Sequence, residues 1–236
     1  PPDMVEGIVS KDFNSEDWLG CFDGDKLAGL IYISSHDMYF YGKTVPMAGI
    51  GVVSTLPEYR NRHCASGILI KSLEVLKDRG YVFSALGPFS YSFYRKYGWE
   101  LGFHTKKYTI SMDGLKGIGT GKGEFRPLRP RDIDNIVGVH GNFFSRYNGA
   151  VKRDNKRWQS RINGLGKDRT YGYAYSHQGN GLAGYIIYSV KEWTFTILEM
   201  AYDSLETKLE ILRFVYYHSA QAERVVWEAP QDDNTA

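Results

Sequence analysis

The sequence predicts an α/β protein made of two tandem domains of one fold. Three observations carry this. Apolar runs of two-residue period alternate with stretches of helical period, in the order β-β-β-α-β-α-β over the first half. A glycine-rich stretch, DGLKGIGTGKGE, then interrupts the pattern. After it the pattern restarts, and DKLAGLIYIS (Asp25–Ser34) is echoed by NGLAGYIIYS (Asn180–Ser189).

Taken in order, strands are expected at Leu27–Ser34, Asp37–Tyr41 and Val45–Thr55. A helix follows over Arg62–Arg79, closed by Gly80, which suits the left-handed position after a helix end. Its apolar stripe is Ala65, Ile68, Leu69, Leu73 and Leu76, with Lys71, Glu74 and Lys77 outside. A strand at Tyr81–Leu86, a helix near Ser90–Tyr97 stopped by Gly98, and a strand through KKYTISM complete a first domain, residues 1–112. The stretch 113–124 resembles a phosphate-binding loop in composition. It neither directly follows a strong strand nor opens a helix, so a linker is the better expectation. The second domain, residues 125–236, begins with a strand, a turn and a helix that sets Ile133, Ile136 and Val137 on one face. Each echoed strand is followed by a long strand, an amphipathic helix and a strand ending in proline, ALGP in one copy and WEAP in the other.

Composition narrows the class. The 236 residues are 42% hydrophobic and 24% charged, as in soluble globular proteins. With 29 Lys and Arg against 27 Asp and Glu, the net charge is +2, which gives no support for a nucleic-acid or membrane partner. No run is long enough to cross a membrane and no signal peptide opens the chain. Cys21 and Cys64 form no disulfide framework, so a reducing, cytoplasmic compartment is expected. The chain opens PPDM without an initiator Met and ends in a polar tail, which suggests a trimmed chain.

The stretch TLPEYRNRHCASG, Thr55–Gly67, holds the strongest chemical signal. A helix N-terminus carries unpaired N–H groups and the positive end of the dipole. Here it receives Arg60 and Arg62, with no acid between Glu58 and the helix body. Cations at that place are unfavourable unless an outside anion balances them, and a strand running into such a turn is a recurring phosphate site. The second copy begins its helix with DSLETKLE, where Asp203 can cap and Glu206 can reach back. One copy is open to anions and the other is closed.

GVVSTLPEYRNRHCASGIL, together with ALGPFSYSFYRKYGWE, resembles the GNAT superfamily of acetyl-CoA-dependent N-acetyltransferases. Arg60, His63 and Ala65 fall on the fixed positions of its R/Q-x-x-G-x-G/A pyrophosphate loop. TLPEYR, FYRKYGWE and the duplication are similar to the Eis-type (enhanced intracellular survival) acetyltransferases. Those join a catalytic GNAT domain, a second GNAT domain without the cofactor loop, and a sterol-carrier-like C-terminal domain. The resemblance implies two GNAT-like domains, each a mixed, mostly antiparallel sheet flanked by helices. It implies that Val53, Ser54 and Thr55 offer backbone to the pantetheine arm of acetyl-CoA. Arg60, Asn61, Arg62, His63, Cys64, Ala65 and Ser66 would form the pyrophosphate turn. Tyr94 falls on the tyrosine that protonates the departing thiolate. A homo-oligomer is the implied assembly.

Two departures stand against the pattern. His63 replaces the glycine that lets backbone approach phosphate; it either points outward and adds a donor, or fills the site. Pro1–Asp17 is too short for the strand and two helices that usually wall the acceptor site, and the third domain is missing, with the terminal carboxylate expected to activate the amine.

Other residues carry less. The six histidines show no metal-ligand spacing and no G-x-S-x-G occurs. Cys64 sits in the basic turn, a setting that can lower a thiol pKa, but with no orienting partner evident in sequence it is read as a small loop residue rather than a nucleophile. The basic run Val151–Arg161 is expected as a solvated helix face, with RNA contact through Lys152–Arg157 as the rarer reading. The implied function is transfer of acetyl from acetyl-CoA to a primary amine of a small cationic molecule, polyamine-like or aminoglycoside-like, with no base nameable. A non-catalytic CoA-binding or interaction module is the alternative.

Overall fold

The computed structural model describes residues 14–177 and 181–234. Most of Pro1–Asp17, on which the expectation of a shortened N-terminus rests, lies outside the described residues. The chain divides into two compact units, residues 1–38 with 44–102, and residues 39–43 with 103–236.

The first unit builds on β1 (Trp18–Asp23), β2 (Lys26–Phe40), β3 (Lys43–Thr55) and β4 (Phe83–Leu86), hydrogen-bonded in that order. Strand β1 has no counterpart among the sequence expectations, because its inward alternation covers only Leu19 and Cys21. It pairs antiparallel with β2, placing Cys21 opposite Gly29. The strands expected at Leu27–Ser34 and Asp37–Tyr41 are one continuous strand, β2. The polar run Ser34–Asp37 looks like a break in sequence, but alternation continues through it.

Helix α1 (Cys64–Asp78) starts two residues later than expected. It buries Cys64, Ile68, Leu69, Ser72 and Leu76 against Ala28, Ile31, Ile33, Ala48 and Ile50. Leu73, expected inside, is 39% exposed, while buried Ser72 satisfies its hydroxyl on the Leu69 carbonyl at 2.7 Å. The helix closes as expected. Gly80 takes φ +77°, its N–H reaches the Lys77 carbonyl, and the Tyr81 N–H reaches that of Leu76. Helix α2 (Tyr91–Arg95) follows β4, with the Ser90 side chain accepting from the Phe93 N–H.

In the second unit the described elements are β5 (Thr105–Ser111), β6 (Glu124–Pro127), α3 (Ile133–Phe144), β7 (Val151–Lys152), α4 (Asn155–Asn163), β8 (Thr170–Ser176), β9 (Leu182–Lys191), β10 (Thr194–Tyr202), α5 (Leu205–Tyr216) and β11 (Arg224–Pro230). Its sheet runs β5-β11-β10-β9-β8-β6, with β10 and β11 parallel. Strand β5, read from sequence as the end of the first domain, pairs antiparallel with β11 in this second sheet. The stretch 113–124, expected as a linker, is anchored to this unit. Leu115 is buried, and the N–H groups of Thr120 and Gly121 donate to Glu210 on α5 at 2.6 and 3.0 Å.

The two units repeat one construction, an α/β arrangement with mixed sheets. In each, a parallel pair is held for four residues, Met47–Ile50 with Phe83–Leu86 and Thr194–Ile197 with Arg224–Trp227. The echoed glycines mark the same crossing. A Cβ on Gly29 would stand 2.7 Å from the Ser54 carbonyl oxygen and from Cys64 Sγ. On Gly184 it would stand 3.0 Å from the Ala201 carbonyl oxygen and 2.7 Å from Thr207 Cγ2. Both glycines therefore let the helix start seat directly on the strand pair.

Candidate functional site

In the first unit β3 leaves β4 after Ile50, and two residues later Val52 adopts φ +54°. A β-branched residue in the left-handed region is a steric outlier, and such strain persists only where the surroundings enforce it. The departure opens a cleft of about 400 Å³ lined by Tyr32, Ser34, Gly49–Val52 and Ala85–Gly87. Past the cleft, β3 runs on through Val53, Ser54 and Thr55 without β4 beside it. Val53 packs partly into the core, Ser54 is exposed, and Thr55 buries its hydroxyl beside the Cys64 thiol.

The chain then turns through Arg60–His63 into α1. Asn61 and His63 both have φ +61°, and His63 occupies the cap position with no side-chain cap bond. The glycine of the family loop is thus replaced at a left-handed residue, and both Asn and His are among the side chains that tolerate it. Its side chain is exposed. No acid stands in the first turn of α1. Glu58 is occupied by Lys26 at 3.0 Å, and the Arg62 guanidinium lies 5.4 Å from the Tyr59 ring centroid. Arg60, Asn61 and Arg62 are exposed, and among the described residues neither arginine pairs with a carboxylate. Ala65 is half-buried, and the Ser66 hydroxyl is taken by Tyr97 at 2.6 Å.

Cys64 corrects an expectation. It is buried, and burial together with contact to Cys21 pushes its thiol up to about 11 rather than down. It is a packing residue under the turn. Tyr94, on α2, is 4% exposed and packs edge-on against Phe89, Phe93 and Trp99. Burial raises its hydroxyl pKa, so it keeps its proton at neutral pH. It is packed into the core rather than among the residues that line the cleft. Trp99 ties this cluster to β4 by donating to Ser84 Oγ at 3.2 Å.

Sequence reasoning missed two residues of the cleft region. Ser34 lines it, and Ser34 Oγ lies 2.8 Å from His36 Nε2 and 3.2 Å from the Gly49 carbonyl oxygen. The available signal was the polar S-S-H-D run inside an otherwise apolar strand.

The second unit answers as a control. The N-cap of α5 is Ser204 rather than the expected Asp203; it accepts from the Thr207 N–H at 3.2 Å, while Asp203 accepts from the Thr207 hydroxyl at 2.6 Å. The helix start is closed by its own side chains. Beyond the four paired residues, a cavity of about 310 Å³ is lined by Leu198–Met200 and Glu228–Pro230 and by His140 and Arg153. The basic run expected as a solvated face turns inward here. Trp158 is fully buried, and Arg153 and Arg161 reach Glu199 at 2.6 and 3.3 Å. Among the described residues no cluster of acids, histidines or cysteines suits a metal ion.

Comparison with known proteins agrees with this duplication. Residues 5–102 match one family model and residues 149–236 another, each described as an acetyltransferase (GNAT) domain. The chain belongs to the GNAT acetyltransferases. An uncharacterized N-acetyltransferase from Streptomyces avermitilis is 24% identical over 159 residues, covering 64% of this chain and 38% of the relative. A GCN5-related N-acetyltransferase from Kribbella flavida shares the fold, with TM-score 0.84 and 23% identity over 98% of this chain and 57% of that one. Eis1 from Mycobacterium abscessus shares it with TM-score 0.72 and 18% identity, covering 98% of this chain and 62% of that one. This GNAT chain spans less than two thirds of the length of each.

Proposed function

We propose that the first unit binds acetyl-CoA and transfers its acetyl group to a primary amine of a small cationic acceptor, in the manner of Eis-type enzymes. The observation that carries this is the splay of β3 from β4 at Val52, leading directly into an uncapped helix start flanked by Arg60 and Arg62. A free strand edge suits an extended amide-bearing arm. Backbone N–H groups with two arginines suit a pyrophosphate. The ligand supplies a thioester, and this chain's residues position it. Val53–Thr55 hold the arm and Arg60–Ser66 surround the pyrophosphate, with Cys64 packing beneath. Tyr94, in the core beside the cleft's strand β4, is the group on this chain that the resemblance assigns to give a proton to the sulfur that leaves. The capped α5 leaves the second unit without a matching phosphate site. The free thiols of Cys21 and Cys64 fit a cytoplasmic setting.

The test is thiol release from acetyl-CoA in the presence of diamines and aminoglycoside-like amines. Amine-dependent release is expected, with Tyr94→Phe lowering kcat about 10²-fold while leaving acetyl-CoA affinity intact. Binding without amine-dependent release would make the unit a CoA-binding module instead.

A further inference from the structure

Direct transfer leaves the proton of the attacking amine to be placed, and β2 offers a place for it. Ser34 and His36 share one face of the strand with Tyr32. Gly49 makes room for them; a Cβ there would stand 2.6 Å from Ser34 Oγ and 3.1 Å from His36 Nε2. The pair is therefore seated against the β3 backbone within the four residues that precede the splay. Ser34 faces the cleft and His36 stands behind it, 2.8 Å away.

We propose that Ser34 and His36 form a proton relay that accepts the amine proton during acetyl transfer, an inference that rests on the function proposed above. Ser34 meets the amine, and His36 acts through it as a positioning residue. The Ser34 hydroxyl has two acceptors within reach, the Gly49 carbonyl and His36 Nε2; with the imidazole proton on Nδ1, the hydroxyl turns from Gly49 and donates to Nε2. As the amine nitrogen bonds to the acetyl carbon, its proton passes to Ser34 Oγ and the serine proton passes to Nε2. The carbon–sulfur bond breaks, the electron pair stays on sulfur, and sulfur takes the Tyr94 hydroxyl proton. The imidazolium then releases a proton to solvent and the tyrosinate takes one back. The sum is amine plus thioester giving amide plus thiol.

Neither β3 between Lys43 and Thr55 nor β4 carries a titratable side chain. On β2, Tyr32 shares the face, and Asp37 alternates to the other.

Kinetics, calorimetry and imidazole NMR on one set of variants test the relay. Ser34→Ala and His36→Gln are each expected to lower kcat about 10²-fold and to erase the acid limb of the kcat/KM profile. Acetyl-CoA affinity should be unchanged in both, and Ser34→Thr, which keeps the hydroxyl, should restore turnover. In the protein without substrate, Ser34→Ala should shift the titration midpoint of the His36 ring. Unchanged turnover and an unchanged acid limb in either loss variant would overturn the relay while leaving the proposed function standing. A wild-type protein that fails to bind acetyl-CoA would remove both together.

Discussion

At His63 the backbone is left-handed, at φ +61° and ψ +10°. For L-residues that region costs roughly 1–2 kcal/mol, less for the few side chains that tolerate it. His63→Gly is therefore expected to raise unfolding stability by up to about 1 kcal/mol, and His63→Val to lower it by about 1 kcal/mol, both read from urea unfolding. A second residue-scale effect lies at His140, which is 3% exposed and packs against Phe144 and Trp158. Burial lowers its pKa to about 4; the Arg153 charge adds to this and Glu199 opposes it. Its ordinary value is about 6.5. Between the two, the unfolded chain holds a proton that the folded chain lacks. The His140 contribution is thus complete above about pH 6.5 and lost as pH falls toward 4, on the order of 3 kcal/mol. His140→Phe should flatten the stability profile between those values, as followed by denaturant unfolding at several pH values. Equal profiles for wild type and variant would sink the assignment.

At the scale of elements, the molecule makes one strand–helix junction twice and finishes it differently. Gly29 and Gly184 mark the shared part. Gly29→Ala and Gly184→Ala each force a methyl against a strand carbonyl and a helix side chain, an overpacking expected to cost about 1–3 kcal/mol by thermal or urea unfolding. The difference lies at the helix start. Ser204→Ala removes a cap and should lower stability by about 1 kcal/mol. The start of α1 has no such cap to remove. This contrast was legible in sequence because capping is local; serine and aspartate before one helix and arginines before the other can be read directly. The exact cap was not, since Asp203 and Ser204 both qualify and only the backbone decides. Cys64 was misread for a related reason. Its neighbours in sequence are basic, but its neighbours in space are Gly29, Cys21 and the core.

Across the whole chain, the duplication was legible because periodicity and the LAG echo survive in sequence. Pairing was not. Nothing local tells Thr105–Ser111 that its partner is β11, more than a hundred residues away. The inward turn of Arg153 and Arg161 was hidden likewise, because their partner Glu199 is distant in sequence. The Ser34–His36 pair was masked by its own polarity, since a polar run reads as a strand end. One helix start is uncapped and the other is capped, and on the function proposed above only the uncapped one takes an anion. Calorimetric titration of acetyl-CoA into the wild-type chain and into Arg60→Ala/Arg62→Ala tests this most directly. One site per chain, with affinity lost in the double variant, is the expected result. Two equivalent sites, or binding that survives the loss of both arginines, would contradict it.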